Sequence, residues 1–191
     1  MQLSFDRPDH WTRVSRLGGG ACVALYLLFL MYAWRDNSGF LFLDYANLII
    51  HEVGHLCFSW GGHTLMILGG TLGELIVPFL CAVFFFFHRQ TYGLAFCFFW
   101  FFENFLYIGT YMADARTMVL PLVNSDESDW TILFSQWGVL LYDQKIGHFI
   151  RHLGWVGMFS TVVWLVFRLY RDSQPHPLLR PLEMLPPPKG N

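Results

Sequence analysis

The residues His51-Glu52-Val53-Gly54-His55 carry the side chains best suited to chemistry in this sequence. In a helix, positions i and i+4 lie on one face about one turn apart, so both imidazoles can reach a single metal ion. Glu52 stands beside them, where it can take a proton from a water that the metal activates. The spacing therefore predicts a zinc site on His51 and His55, with Glu52 as the catalytic general base.

These residues belong to a chain with the composition of a membrane protein. Of its 191 residues, 54% are hydrophobic and only 14% are charged, whereas soluble domains carry roughly 25% charged residues. A soluble fold of this size could not bury that much apolar surface, but lipid accepts it. No basic patch indicates nucleic acid. The predicted partners are the lipid bilayer and a membrane-associated protein, either as substrate or as partner subunit.

Five apolar stretches are long enough to span a bilayer, for which a helix needs about 20 residues. They cover residues 18–34, 40–60, 64–87, 91–112 and 146–170. Short polar turns separate the first four, so neighbouring helices run antiparallel. We therefore predict an all-α, polytopic transmembrane helix bundle of five spans, or of six if a segment near Thr131 makes a partial crossing.

The transmembrane helical domain covers residues 18–170 and has a short segment at each end. Residues 1–17 form an N-terminal juxtamembrane segment, and residues 171–191 form a proline-rich tail without fixed structure. The core with the zinc site covers residues 40–116. Residues 117–145 hold an acidic loop and a piece too short to span, which is interfacial or re-entrant.

Basic residues bear on the orientation of the chain. Arg7, Arg13 and Arg16 precede the first span and favour a cytoplasmic N-terminus. We expect an integral multi-pass protein of a bacterial plasma membrane. Five crossings would then place Arg168 and Arg171 outside, against the same rule, whereas a sixth partial crossing would remove the conflict.

A catalytic zinc ion needs a third protein ligand and keeps one position for water. The second and fourth predicted spans point the same way across the membrane. His51 and His55 lie in the C-terminal half of the second, and Asp114 lies at the C-terminal end of the fourth. Asp114 is therefore our candidate for the third ligand, provided that a tilt or an unwound helix end brings it about one or two turns deeper.

Together these residues resemble a divergent form of the site-2-protease family of intramembrane zinc metalloproteases. That family carries His-Glu-x-x-His in one core helix, a glycine-containing element in the next, and an asparagine ahead of an aspartate in the third. Here the first motif is followed by glycines within residues 69–74, and Asn104 precedes Asp114 by ten residues. The resemblance covers roughly residues 40–116.

The resemblance implies both the site and the activity. By it, His51, His55 and Asp114 would hold Zn²⁺, and Glu52 would be the general base. Asn104 would be a further catalytic residue that positions the substrate backbone. The implied activity is that of a zinc metalloendopeptidase, which hydrolyses a peptide bond of a membrane-associated substrate.

Other functions stay open at this level. Ala115 follows Asp114 where the family has glycine, and Gly73-Glu74 stands where it has proline and asparagine. These departures favour a non-proteolytic membrane subunit or assembly factor that keeps the scaffold, with a structural metal. A membrane oxidase with a metal pair held by histidines at 51, 55, 148 and 152 is a further alternative.

Further polar residues lie within the predicted spans. Glu74, near the middle of the third span, either relays protons or is a protonated acid bonded to a neighbouring helix. Asp44 and Asn47 share a helix face with His51 and are candidate partners for its imidazole. In the simplest alternative, the two histidines of the motif only bond to neighbouring helices and Glu52 is protonated.

Overall fold

The computed structural model describes residues 8–121 and 127–174, and this part of the chain is helical without strands. The six α-helices are α1 (Arg16–Arg35), α2 (Asp44–Phe58), α3 (His63–Phe87), α4 (Thr91–Ala113), α5 (Asp129–Gln136) and α6 (Asp143–Ser173). Short 3-10 turns at Ser59–Gly61 and Leu140–Tyr142 lead into α3 and α6. The prediction of an all-α bundle is confirmed.

Four helices, α1, α3, α4 and α6, are long and apolar enough to cross a membrane, and the chain is therefore a membrane protein. The predicted second span contains only the 15 residues of α2. At 1.5 Å per residue α2 is about 22 Å long, shorter than the roughly 30 Å hydrocarbon core of a bilayer. The prediction of five spans is not confirmed, because α2 does not qualify.

The first turns of α2 lie beside the middle of α4. Asn47 accepts a hydrogen bond from Trp100 Nε1 at 2.8 Å and donates one to Glu103 at 3.2 Å. Asp44, one turn earlier, accepts the backbone N–H of Leu41 at 2.6 Å. Because these polar groups are buried, they need protein partners in place of lipid. The partners hold the start of α2 inside the bundle, so α2 runs from mid-depth to one end.

Glycines allow α2 and α3 to cross closely. A Cβ atom built on Gly69 would lie 2.7 Å from the carbonyl oxygen of Gly54, and one on Gly73 would lie 3.0 Å from that of Ile50. Small residues at such crossings let helix backbones approach in a membrane. The glycines of residues 69–74 therefore serve the contact that brings the histidines of α2 against α3.

The two ends of the bundle differ in what they contain. At one end, here called the terminal end, the Val14 N–H donates to Asp172 at 3.0 Å and the Thr12 N–H donates to the Arg89 carbonyl at 2.9 Å. At the other, the α5 end, Thr64 donates to Gln136 at 3.1 Å. The four spanning helices thus bring residues 8–15 and the end of α6 to one end of the bundle, and α2 finishes at the opposite end.

The short helix α5 packs against the bundle core. Trp130, Leu133 and Phe134 are buried with Ile67 of α3 and Met112 of α4. The predicted short segment therefore forms a cap over the ends of these helices. Residues 122–126 of the acidic loop and residues 175–191 of the predicted tail lie outside the described residues.

The close helix crossing yields a test of the fold. We expect Gly54→Ala to lower the free energy of unfolding by about 1–3 kcal/mol, because a Cβ atom there would collide with the carbonyl oxygen of Gly69. Gly20→Ala is the matched control, since a Cβ at Gly20 meets nothing within 4 Å. Unfolding in mixed micelles, followed by circular dichroism, measures both variants. Equal stability of the two would contradict the close crossing.

Candidate metal centre

Two histidines and one aspartate converge at the α5 end of the bundle. His51 Nε2 lies 3.0 Å from Asp129 Oδ2, and His55 Nε2 lies 3.4 Å from the same oxygen. Candidate ligand atoms of all three residues lie within 4.8 Å of one another. A tetrahedral zinc ion with bonds near 2.0–2.1 Å would separate its ligand atoms by about 3.3 Å. The three side chains therefore fit a single small metal ion.

The second nitrogen of each imidazole faces an acceptor. His55 Nδ1 lies 2.8 Å from the Met66 carbonyl oxygen, which can only accept, so Nδ1 carries the hydrogen. His51 Nδ1 lies 3.4 Å from the buried carboxylate of Glu74. A metal-binding histidine typically directs its other ring nitrogen at a carbonyl or carboxylate in this way. In His55, Nε2 is thus the nitrogen left for a metal, and in His51 Nε2 is the nitrogen that faces Asp129.

The ring of His51 lies against the backbone of α3. A Cβ atom built on Gly70 would lie 2.5 Å from His51 Nε2, so glycine makes room for the imidazole. The ring is almost fully buried, whereas His55 and Asp129 are partly exposed. The centre is therefore closed on the side toward α3, and its other side opens into a cavity that Glu52 also lines.

Asp129 reaches the histidines from the first turn of α5. Its backbone N–H donates to the Tyr111 hydroxyl at 3.2 Å, which ties the start of α5 to α4. Burial by itself would raise the pKa of Asp129, but the hydrogen bonds to His51 and His55 outweigh it and leave the pKa below the ordinary value. These hydrogen bonds need a hydrogen on Nε2 of each imidazole, which a metal ion bound to those nitrogens would replace.

Asp114 is placed differently from the sequence prediction. The C-terminal end of α4 does approach the histidines, since the ring centroids of Tyr111 and His51 are 6.2 Å apart. The Asp114 carboxylate, however, accepts bonds from Thr117 Oγ1 at 2.5 Å and from the backbone N–H groups of Val119 and Leu120 at 3.1 and 2.8 Å. Both its oxygens therefore serve the turn after α4, and Asp129 takes the position beside the imidazoles.

Glu52 shares a cavity with the three candidate ligands. The cavity has a volume of about 260 Å³, and His63, Tyr107 and Tyr111 also line it. Glu52 is half-buried there. The predicted general base and the candidate metal ligands thus face one space, which is the first requirement for joint action on a substrate.

Asn104 lies inside the bundle, away from that cavity. Its side-chain amide donates to the backbone carbonyl oxygens of Glu74 at 3.0 Å and Trp100 at 3.2 Å. Asn104 therefore joins α4 to α3 at the residue whose carboxylate faces His51. Substrate binding by Asn104, implied by the family resemblance, stays a prediction.

The second histidine pair forms a local contact on α6. His152 Nδ1 lies 2.6 Å from the backbone carbonyl oxygen of His148, and both side chains are exposed. Among the described residues, the group of three potential ligands is formed by residues 51, 55 and 129. Within the described residues, the histidines at 51, 55, 148 and 152 therefore do not form the single centre that the oxidase alternative requires.

Comparisons with protein families, with curated proteins and with solved structures find no match for this chain. Sequence reasoning missed Asp129 because it searched the spanning helices for a third ligand. The available signal was an acidic residue that follows the acidic loop and opens a segment too short to span.

The two aspartates make a matched test of the centre. We expect Asp129→Asn to weaken zinc binding by more than the roughly 10–100-fold that loss of an outer partner costs, because a direct ligand is removed. Asp114→Asn should leave the zinc affinity within about twofold of wild type, since that carboxylate bonds to its own turn. Competition with a chelating dye in detergent measures both affinities. The reverse ranking would restore Asp114 as the ligand.

Proposed function

We propose that the protein is an intramembrane zinc metallopeptidase that hydrolyses a peptide bond of a membrane-associated protein. One observation carries the proposal. The Nε2 atoms of His51 and His55 face the same carboxylate oxygen of Asp129, in a cavity that Glu52 also lines. This is the set of groups that a catalytic zinc site requires: three protein ligands, an open position and an acid-base residue.

Each residue has a separate role in this proposal. His51, His55 and Asp129 hold the ion, and Glu74 and the Met66 carbonyl orient the two imidazoles. When bound to these residues, zinc would supply the Lewis acidity needed for hydrolysis near neutral pH. Glu52 accepts the proton of the attacking water and returns it to the leaving amine.

The cavity restricts the form of the substrate. Its volume of about 260 Å³ lies just below the range of ligand pockets, which is roughly 300–1,000 Å³. A helix hides its carbonyl groups in backbone hydrogen bonds, so a spanning substrate has to be unwound before attack. We therefore infer that the substrate presents an extended or unwound segment between α2 and the aromatic pair Tyr107 and Tyr111, whose rings stack at 5.9 Å.

Charge supports an orientation in which both ends of the described chain are cytoplasmic. Five described basic residues lie at the terminal end: Arg13, Arg16, Arg89, Arg168 and Arg171. Four lie in the half toward the α5 end: Arg35, Arg116, Lys145 and Arg151. Cytoplasmic segments carry the excess of basic residues. Five crossings would place Arg168 and Arg171 outside, against this rule. Four crossings return them to the side of the N-terminal arginines, so the conflict disappears. The metal centre then opens toward the non-cytoplasmic side of a plasma membrane.

A structural metal site is the second candidate. Asp129 belongs to α5 and the histidines belong to α2, so an ion bound to all three would join the cap to the bundle. Such a structural site would suit a non-proteolytic subunit or assembly factor. This alternative requires the metal for stability but does not require Glu52.

Glu52→Gln distinguishes the two candidates. The amide has the same size but cannot accept a proton, so we expect about one zinc per chain and at least a 100-fold loss of cleavage. Asp9→Asn, an acid-to-amide change at an exposed residue away from the cavity, is the control. The assay incubates each full-length protein with solubilised bacterial membrane proteins and counts new N-termini by mass spectrometry. Equal cleavage by wild type and Glu52→Gln would reject the mechanism, and zinc binding without any cleavage would favour the structural site.

The orientation has its own test. We expect reporter domains fused to either end of the chain to lie in the cytoplasm, because four crossings return the chain to its starting side. Paired fusions to green fluorescent protein, active inside, and alkaline phosphatase, active outside, measure this in bacterial cells. A phosphatase-active C-terminal fusion together with a fluorescent N-terminal one would indicate that α2 also crosses.

A further inference from the structure

A second cavity lies at the terminal end of the bundle, away from the metal centre. It has a volume of about 560 Å³, and its walls include the aromatic rings of Phe98, Phe102, Trp164 and Phe167. An adjoining apolar groove shares Ser160, Trp164 and Phe167 with it and continues along α6 as far as Val156. From residue 156 to residue 167 a helix extends about 16 Å. The combined surface is thus a long apolar groove on α6, and we call it the α6 groove.

Positive charge lies at one end of the α6 groove. Arg168 and Arg171 both line the cavity there, next to Trp11. The guanidinium groups of Arg168 and Arg89 lie 6.0 and 5.5 Å from the centre of the Trp11 ring. Arg168 and Arg171 share one described ion-pair partner, the carboxylate of Asp172. Two guanidinium groups against one carboxylate leave net positive charge at this end of the groove.

Arg168 is incompletely paired. Its side chain is 9% exposed, and its Nη2 atom lies 3.5 Å from Asp172 Oδ2, longer than the usual 2.7–2.9 Å of such bonds. Its buried Nε atom has no hydrogen-bond partner among the described residues. Asp172 also accepts the Val14 N–H at 3.0 Å and is therefore not available to Arg168 alone.

This combination points to a ligand with one anionic end. Arginines near the ends of spanning helices usually extend into the headgroup region, but Arg168 is packed inside and lines the cavity. A buried donor without a partner is costly, so an acceptor is expected opposite Nε. The apolar groove beside it suits a hydrocarbon chain.

We propose that the α6 groove binds an anionic phospholipid. Its acyl chain lies along Trp164 and Phe167 toward Val156, and its phosphate accepts hydrogen bonds from Arg168 and Arg171. A basic pocket between transmembrane helices is a known way to hold such headgroups, and anionic lipids are abundant in the cytoplasmic leaflet. The site is independent of the metal centre, which lies at the opposite end of the bundle.

Native mass spectrometry of the full chain tests the site. The protein is released from micelles that contain either phosphatidylglycerol or phosphatidylcholine. We expect one retained phosphatidylglycerol per chain, bound at least about tenfold more tightly than phosphatidylcholine, because only the former carries net negative charge against the arginines. Arg168→Gln and Arg171→Gln should each lower retention by about tenfold, whereas Arg13→Gln, an exposed charge at the same end, should not.

Ser160→Trp supplies a test that leaves every charge in place. Ser160 is exposed and lines both parts of the α6 groove, so an indole there should block the acyl chain and reduce phosphatidylglycerol retention even if Arg168→Gln fails to fold. Equal retention of the two lipids would overturn the proposal. So would an equal loss with Arg13→Gln, or displacement of the lipid by millimolar inorganic phosphate, which would indicate a site for free anions.

Discussion

The structure depends on the need to partner the polar face of α2 inside an apolar bundle. Asp44, Asn47 and His51 follow one another at helical spacing, and all three are buried. Lipid offers such groups no hydrogen bonds, so protein has to supply them. Trp100 and Glu103 of α4 supply partners at the start of α2, and Asp129 of α5 supplies one at His51.

That need accounts for several features of the fold together. Because its partners lie at the middle of α4, α2 begins at mid-depth and stays too short to cross. The close approach of α2 to α3 requires glycines at positions 54, 69 and 73. Since α2 does not qualify as a span, the four spanning helices α1, α3, α4 and α6 bring the two ends of the described chain to the same end of the bundle. The same arrangement separates the histidine site from the arginines at the terminal end.

The positions of Asp114 and Asp129 show how local hydrogen bonds decide which of two aspartates faces the histidines. Asp114 and Asp129 both lie near the α5 end of the bundle. Asp114 ends a helix, and the backbone N–H groups of the turn that follows bond to its carboxylate. Asp129 begins a helix, where its own backbone N–H bonds to Tyr111 and its carboxylate remains directed at the imidazoles. The sequence predicted that the ends of α2 and α4 lie close together, whereas these local hydrogen bonds decide which aspartate faces the histidines.

The sequence by itself determined the helical membrane fold and the placement of His51 and His55 on one helix face beside Glu52. These follow from properties of short range: long apolar runs require helices in lipid, and residues four apart share a helix face. The tertiary structure decided that α2 stops short of a crossing, that Asp129 joins the histidines, and that Glu74 stands behind His51. These outcomes depend on contacts between residues 23 to 78 positions apart. No periodicity in a sequence encodes such contacts, because they arise only when the helices pack and buried polar groups find their partners.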